Sequence, residues 1–344
     1  MKQVLGQNNL TSSQGIDITK VNKHKIANSL RSLYAAVPKQ FSFSAKNSIQ
    51  EAIAIVVVSS HKCDSAYTNR DQRRVTLFGE IVGIEPTDND QVRISLIKKF
   101  TANYTSEDLH TSPSVLFDEI HHLYNDLGYR HFLYVAHSPH TSTVHLTRAE
   151  GGDDLYFMSH AIIERLKQQN PEAKIYPTFV DQYYTVKLDK KPICNSLYIQ
   201  DVNELQITGT QQSLVYFRLF NGIMVQQKQG GNDKNFYNGV ATYSTLLNAY
   251  PDILSDEEIM DALVRPGPLK VSILNALSLF HYYRYESSYK ISFKLNPYKR
   301  IIGDESVGAR SLLNGIHGKV RFNALAFAAE VRAVLEAVPV RENA

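Results

Sequence analysis

Four carboxylates stand where this chain could place metal ligands: Asp64, Glu80, Glu119 and Asp181. Two-metal hydrolysis needs two or more carboxylates converging on ions about 4 Å apart. Glu119 lies in a helical pattern, and without a strand partner it reads as a solvent-facing helix acid. Histidines recur at 121, 122, 131, 137, 140 and 145. The run His137-Ser-Pro-His140 follows an apolar stretch and offers either metal ligands or an acid–base pair. Its spacing is not that of a helical zinc motif. A polar loop that hydrogen-bonds to backbone or phosphate is the plainer reading. Ser59, Ser60, His61 and Cys63 combine nucleophiles with a base, but no Gly-x-Ser-x-Gly elbow surrounds them. No GxGxxG or Walker loop is present: Gly230-Gly231 lacks a following Lys-Ser/Thr, and residues 303–308 contain acids.

A basic set stands near the end of the chain: Lys290, Lys294, Lys299, Arg300, Arg310, Lys319 and Arg321, interleaved with Tyr289, Phe293 and Tyr298. Lys and Arg neutralise phosphates, and aromatic rings stack on bases with little sequence preference. Gly303, Gly308, Gly315 and Gly318 allow close backbone approach. The competing reading is a solvated, turn-rich face whose aromatics belong to the core. The charge distribution agrees with an anionic partner. Net charge is +3, whereas residues 266–344 carry 11 Lys and Arg against 6 Asp and Glu. The preceding residues are therefore slightly acidic.

Composition sets the outer bounds. A chain of 344 residues with 43% hydrophobic and 21% charged residues buries a large core as one big domain or two modest ones. No apolar run approaches the roughly 20 residues that span a bilayer, and the first residues hold no apolar signal core. The two cysteines, Cys63 and Cys194, form no CxxC pair. Together these predict a cytoplasmic protein with free thiols and no cysteine-built zinc site.

The elements that must position these residues follow from periodicity. Residues 1–18 are a polar leader, residues 21–37 an amphipathic helix ended by Pro38, and residues 39–50 a linker. Apolar runs at 52–58, 76–84, 92–100, 132–135 and 174–180 read as strands, the last continuing to 188. The first three form a meander, with a strong turn at 85–91. Residues 115–127 and 158–169 carry helical spacing, with Ser112 and Pro113 as a cap and first-turn pair for the former. Gly151-Gly152-Asp153-Asp154 precedes the latter. Further strands are expected at 196–202 and 213–226, the second interrupted by Asn221-Gly222. Helices are expected at 236–249, 256–264, 270–285 and 322–338, with an extended piece at 291–295.

Three strands, a helix, a strand, a helix and a strand resemble the RNase H-like core of Piwi domains and related nucleases. The segments Val271–Tyr285 and Lys294-Leu-Asn-Pro-Tyr298 stand where such domains continue into a closing unit. In Val320-Arg-Phe-Asn-Ala-Leu-Ala-Phe-Ala-Ala-Glu330, Arg321 and Glu330 resemble the Arg/Glu mark of prokaryotic Argonaute-related, Piwi-related proteins. The resemblance implies a metal-binding Asp in the first strand and another at the end of the fourth. Here those places read Ile55-Val56-Val57-Val58-Ser59-Ser60 and Val135-Ala136-His137-Ser138, with no carboxylate in either. Such proteins also carry a Mid domain before the core, and residues 1–50 are too few for one.

The expected fold is therefore α/β: an RNase H-like (Piwi-like) mixed sheet flanked by helices, with a helical C-terminal extension. Residues 1–50 form the leader and helix, 51–190 the core, and 191–344 the extension with its basic segment. The expected function is nucleic-acid binding, DNA or RNA, by a catalytically inactive Piwi-like protein in a defence or guide-dependent assembly. No catalytic residue and no cofactor are expected, and a protein partner subunit supplies the chemistry. Arg321 and Glu330 serve equally as a structural pair holding the last helix. Two alternatives stand: a Mg-dependent RNase H-like nuclease using Glu119 with Asp64 or Asp181, and a protein–protein scaffold without nucleic acid.

Overall fold

The structure, a computed structural model, describes residues 22–23, 26, 38–42, 49, 51–62, 74–87, 91–137, 160–188, 197–201, 207–209, 212–221, 227–228, 234–246, 255–283, 297–298, 313–316 and 319–322. Its spine is the strand β2 (Ile53–Lys62). Ile53 to Val58 are all buried, because both faces of the sheet are covered there. That is why the strand reads as a continuous apolar run and not as an alternation.

Strands β3 (Arg74–Thr87) and β4 (Gln91–Thr105) complete an antiparallel meander beside β2. Helices α1 (Ser106–Thr111) and α2 (Ser114–Asn125) follow. The chain returns as β5 (His131–His137), parallel to β2 on its other side. Helix α3 (His160–Gln169) then leads to β6 (Lys174–Leu188), parallel to β5. The order β4-β3-β2-β5-β6, with the first, fourth and fifth core strands parallel, is the RNase H-like arrangement. The mixed α/β sheet flanked by helices expected from the sequence is therefore the fold observed.

Helix α2 packs through Leu116, Phe117, Ile120 and Leu123, one face at helical spacing. Gly128, at φ 74°, supplies the left-handed turn that ends this crossover, and the Tyr129 amide bonds back to the Leu123 carbonyl at 3.0 Å. The cap differs from the expected one. Ser112 closes α1 and Pro113 is the N-cap of α2 without a side-chain bond, whereas Ser112 accepts a 2.7 Å bond from Arg165 of α3. A true cap is found one helix earlier, where the Thr105 hydroxyl accepts from the Asp108 amide.

Beyond β6 the sheet continues. Strand β11 (Lys234–Leu246) runs antiparallel to β6, followed outward by β9 (Gln212–Asn221) and β7 (Leu197–Asp201). Two short strands, β8 (Ile207–Gly209) and β10 (Gln227–Lys228), pair off this path, giving an 11-stranded sheet. The helix expected at 236–249 is thus a strand. Its aromatic and β-branched residues suit a pleated surface, and β6 and β9 take up the hydrogen bonds on both its edges. The expected linker at 39–50 likewise contains a strand, β1 (Lys39–Ser42), antiparallel to the start of β4. Helices α4 (Glu257–Leu263) and α5 (Pro268–Tyr283) lie where the sequence placed helices. A separate hairpin, β12 (Leu313–Ile316) with β13 (Lys319–Phe322), completes the described elements. The helices expected at 21–37 and 322–338, the 151–154 turn and the 291–295 piece lie largely or wholly outside the described residues. No helix among the described residues is long and apolar enough to cross a membrane.

Candidate functional site

Register neighbours in a sheet share a face, which sorts the carboxylates. Glu80 of β3 stands opposite Val57 of β2 and Lys99 of β4. Val57 in turn aligns with Val135 of β5 and Thr178 of β6. Two residues on from Thr178, Val180 aligns with Tyr243, which bonds His281 of α5, so this is the face under α4 and α5. The next row is Lys98, Ile81, Val56, Tyr134 and Pro177. Lys98 bonds Glu119 of α2, so this is the opposite face. Glu80 and Glu119 are both buried, on different sides of the sheet.

Each buried glutamate has a lysine. Glu119 is ion-paired with Lys98, and Glu80 lies 3.5 Å from Lys99. Glu119 is therefore not the solvent-facing acid that helical spacing suggested. Its burial follows from its position between Leu116 and Leu123 on the apolar face of α2. Asp181 is also buried, just past the end of the β5–β6 parallel pairing, on the α2 side by register. Four strand steps separate β4 from β6, roughly 19 Å at the usual spacing. Lys98 and Asp181 thus stand on opposite border strands of the core sheet.

A magnesium site of the kind an RNase H-like nuclease uses is tested by this donor set. On the α2 face the central strands present Val56, Val58, Tyr134 and Ala136, all buried and without an oxygen donor except the Tyr134 phenol. Among the described residues no group of three or more His, Cys, Asp and Glu gathers as metal ligands. Strands β2 and β5 offer no carboxylate for the ion. Asp64, Cys63, His140 and His145 lie outside them. His137 ends the β5 backbone.

At the other end of the parallel strands lies a dense polar cluster that sequence reading missed. His131 is buried, with Nδ1 2.7 Å from the Tyr176 hydroxyl and Nε2 in a hydrogen bond with Glu51. Glu258 approaches the same ring at 3.7 Å. Lys174 reaches Asp256 at 3.0 Å and Glu258 at 3.3 Å. Asp256 also caps α4, accepting from the amides of Glu258 and Ile259. Burial alone would lift the Asp256 carboxyl, but the bonds from Lys174 and Ile259 hold it below the ordinary range. Burial alone would lower Lys174, and the two carboxylates more than offset this, raising it. Burial, helped by Glu258 and Asp256, pushes the Tyr176 phenol well up. The cluster ties the starts of β5 and β6 to α4, and its hidden imidazole and phenol are out of reach of a large substrate. The signal in the sequence was a histidine and a lysine opening consecutive strands, the first of them noted there only as one of several histidines.

A second buried set joins β11, α5 and the Pro297–Tyr298 turn. The Tyr243 hydroxyl lies 2.8 Å from His281 Nε2 and 3.0 Å from the Tyr298 hydroxyl, and Tyr298 packs on Phe280 with ring centres 4.9 Å apart. Burial and the neighbouring Tyr298 raise the Tyr243 phenol far above its usual range. Of the basic set, Lys290, Lys294, Lys299, Arg300 and Arg310 lie outside the described residues. Lys319 and Arg321 fall on β13, where Arg321 pairs in register with Asn314 and Lys319 with Ile316. Glu330, the proposed mate of Arg321, is outside the described residues.

No family model and no curated protein matches this chain. Among solved structures, the crystal structure of the NurA nuclease from Sulfolobus solfataricus aligns over 91% of this chain and 92% of that one, at 11% identity and a TM-score of 0.32.

Proposed function

We propose that this protein binds nucleic acid on an RNase H-like scaffold without cutting it, as a Piwi-like subunit of a defence or guide-dependent assembly. One observation carries the reading. The helix carboxylate that faces the sheet, Glu119, is ion-paired with Lys98, and the central strands β2 and β5 contain no Asp or Glu. The scaffold is kept while the first and fourth core strands contain no carboxylate. The basic C-terminal segment supplies phosphate contacts, and a partner supplies any cleavage.

Purification at low salt, with extraction of whatever co-purifies before and after nuclease treatment, tests this. Discrete short DNA or RNA is the expected result, and its end chemistry reports whether a guide is held. A clean protein that shifts neither labelled DNA nor RNA at low salt overturns the reading in favour of a protein scaffold. Magnesium-dependent cleavage by the purified chain, lost on Glu119→Gln, overturns it in favour of the nuclease.

A further inference from the structure

Strand β4 contains one residue too many. Val82 aligns with Leu96 but Ile81 aligns with Lys98, so Ile97 is a bulge. A bulge resets the alternation of the strand that carries it. Without it, Lys98 would share the face of Leu96, which by register is the face of Val82 and of α4 and α5. With it, Lys98 turns to α2 and meets Glu119, and Lys99 turns to the opposite face and meets Glu80. By absorbing Ile97 outside the regular ladder, the bulge keeps both lysines on the faces of their glutamates.

The two partners of the α2 pair are unlike. The Glu119 side chain is 10% exposed and the Lys98 side chain 51%. A carboxylate so buried requires a compensating cation. In a metal-dependent site of this fold the ion fills that need together with strand carboxylates. Here the described stretches of β2 and β5 contain no Asp or Glu.

We propose that Lys98 is the resident cation of Glu119, aimed by the Ile97 bulge, so that nucleic acid is held with no divalent ion on that carboxylate. The second half of this statement rests on the nucleic-acid-binding reading above. The first half stands on the ion pair alone.

The full chain decides both. Mn²⁺ titration, followed through the free-ion paramagnetic signal, compares the native protein with Glu119→Gln. Equal uptake is expected. Stoichiometric Mn²⁺ binding that Glu119→Gln abolishes overturns the proposal. Should Glu119→Gln fail to fold, Lys98→Arg and Lys98→Met keep the question open to test. The arginine variant keeps the charge and native stability, and the methionine variant unfolds more readily by about tenfold in the unfolding equilibrium or more. A Lys98→Met protein as stable as the native one overturns the proposal. Retention of labelled DNA and RNA at low salt is then compared in chelator and in excess Mg²⁺. Equal retention supports the proposal, and retention seen only with Mg²⁺ overturns it. Retention in neither buffer removes the nucleic-acid-binding reading and with it the second half, while the Mn²⁺ titration still judges the first.

Discussion

Single residues decide this fold where backbone and side chains come closest. A Cβ on Gly79 would stand 2.3 Å from the Phe100 ring and 2.5 Å from the Val57 carbonyl oxygen. Gly79→Ala is therefore expected to destabilise the protein by about 1–3 kcal/mol, read by denaturant unfolding. The Tyr243 hydroxyl bridges two buried polar groups, so Tyr243→Phe should cost about 1–3 kcal/mol, although the volume is nearly unchanged. Titration gives a third residue-scale prediction. Asp256 is held below its ordinary value, so its contribution is present above about pH 4 and fades as pH falls through the folded value. Lys174 is raised, so its contribution is present below about pH 10 and fades as pH rises through the folded value. Stability measured against pH should thus fall at both extremes, and Lys174→Met should flatten the alkaline limb and much of the acid one.

Elements are set by pairing more than by local preference. The stretch 236–249 carries apolar residues that suit either a helix or a strand, and β6 and β9 resolve the choice by flanking it. The Ile97 bulge shows the same dependence from the other side. Deleting Ile97 would leave Leu96 and Lys98 in regular alternation, still aligned with Val82 and Ile81, so that Lys98 and Lys99 keep the faces of Glu119 and Glu80. Such a variant is therefore expected to retain cooperative unfolding in denaturant, as is Ile97→Val, and a loss of cooperativity in the deletion would show that the bulge itself is needed. Edge strand β1 covers only Gln91–Ile94 of β4, and the bulge with Lys98 and Lys99 further along keeps that edge uneven and charged.

At the scale of the molecule, the sheet runs on past β6 among the described strands. β6 pairs with β5 on one side and with β11 on the other, and Thr245 of β11 donates to the Pro177 carbonyl of β6 at 2.6 Å. A fragment ending at residue 190 would lose β11 from the β6 edge and strip α4 and α5 from one face. It is expected to aggregate, which size-exclusion chromatography beside the full chain would show. The sheet therefore grows from an RNase H-like centre outward through β11, β9 and β7, with helices on both faces of the centre.

The sequence by itself determined the central strands and the two crossover helices. Runs such as Ile53 to Val58 leave no polar residue to turn outward, and Leu116, Phe117, Ile120 and Leu123 mark one helical face. It also determined that the first and fourth core strands lack carboxylates, a fact of composition that no packing changes. Only the tertiary structure decided the state of Glu119, since its partner lies 21 residues earlier on a strand whose phase depends on a bulge. The His131 and Tyr243 clusters were hidden for the same reason. Their members come from segments far apart in the chain, and the buried hydrogen bonds that unite them leave no periodic trace in the order of residues.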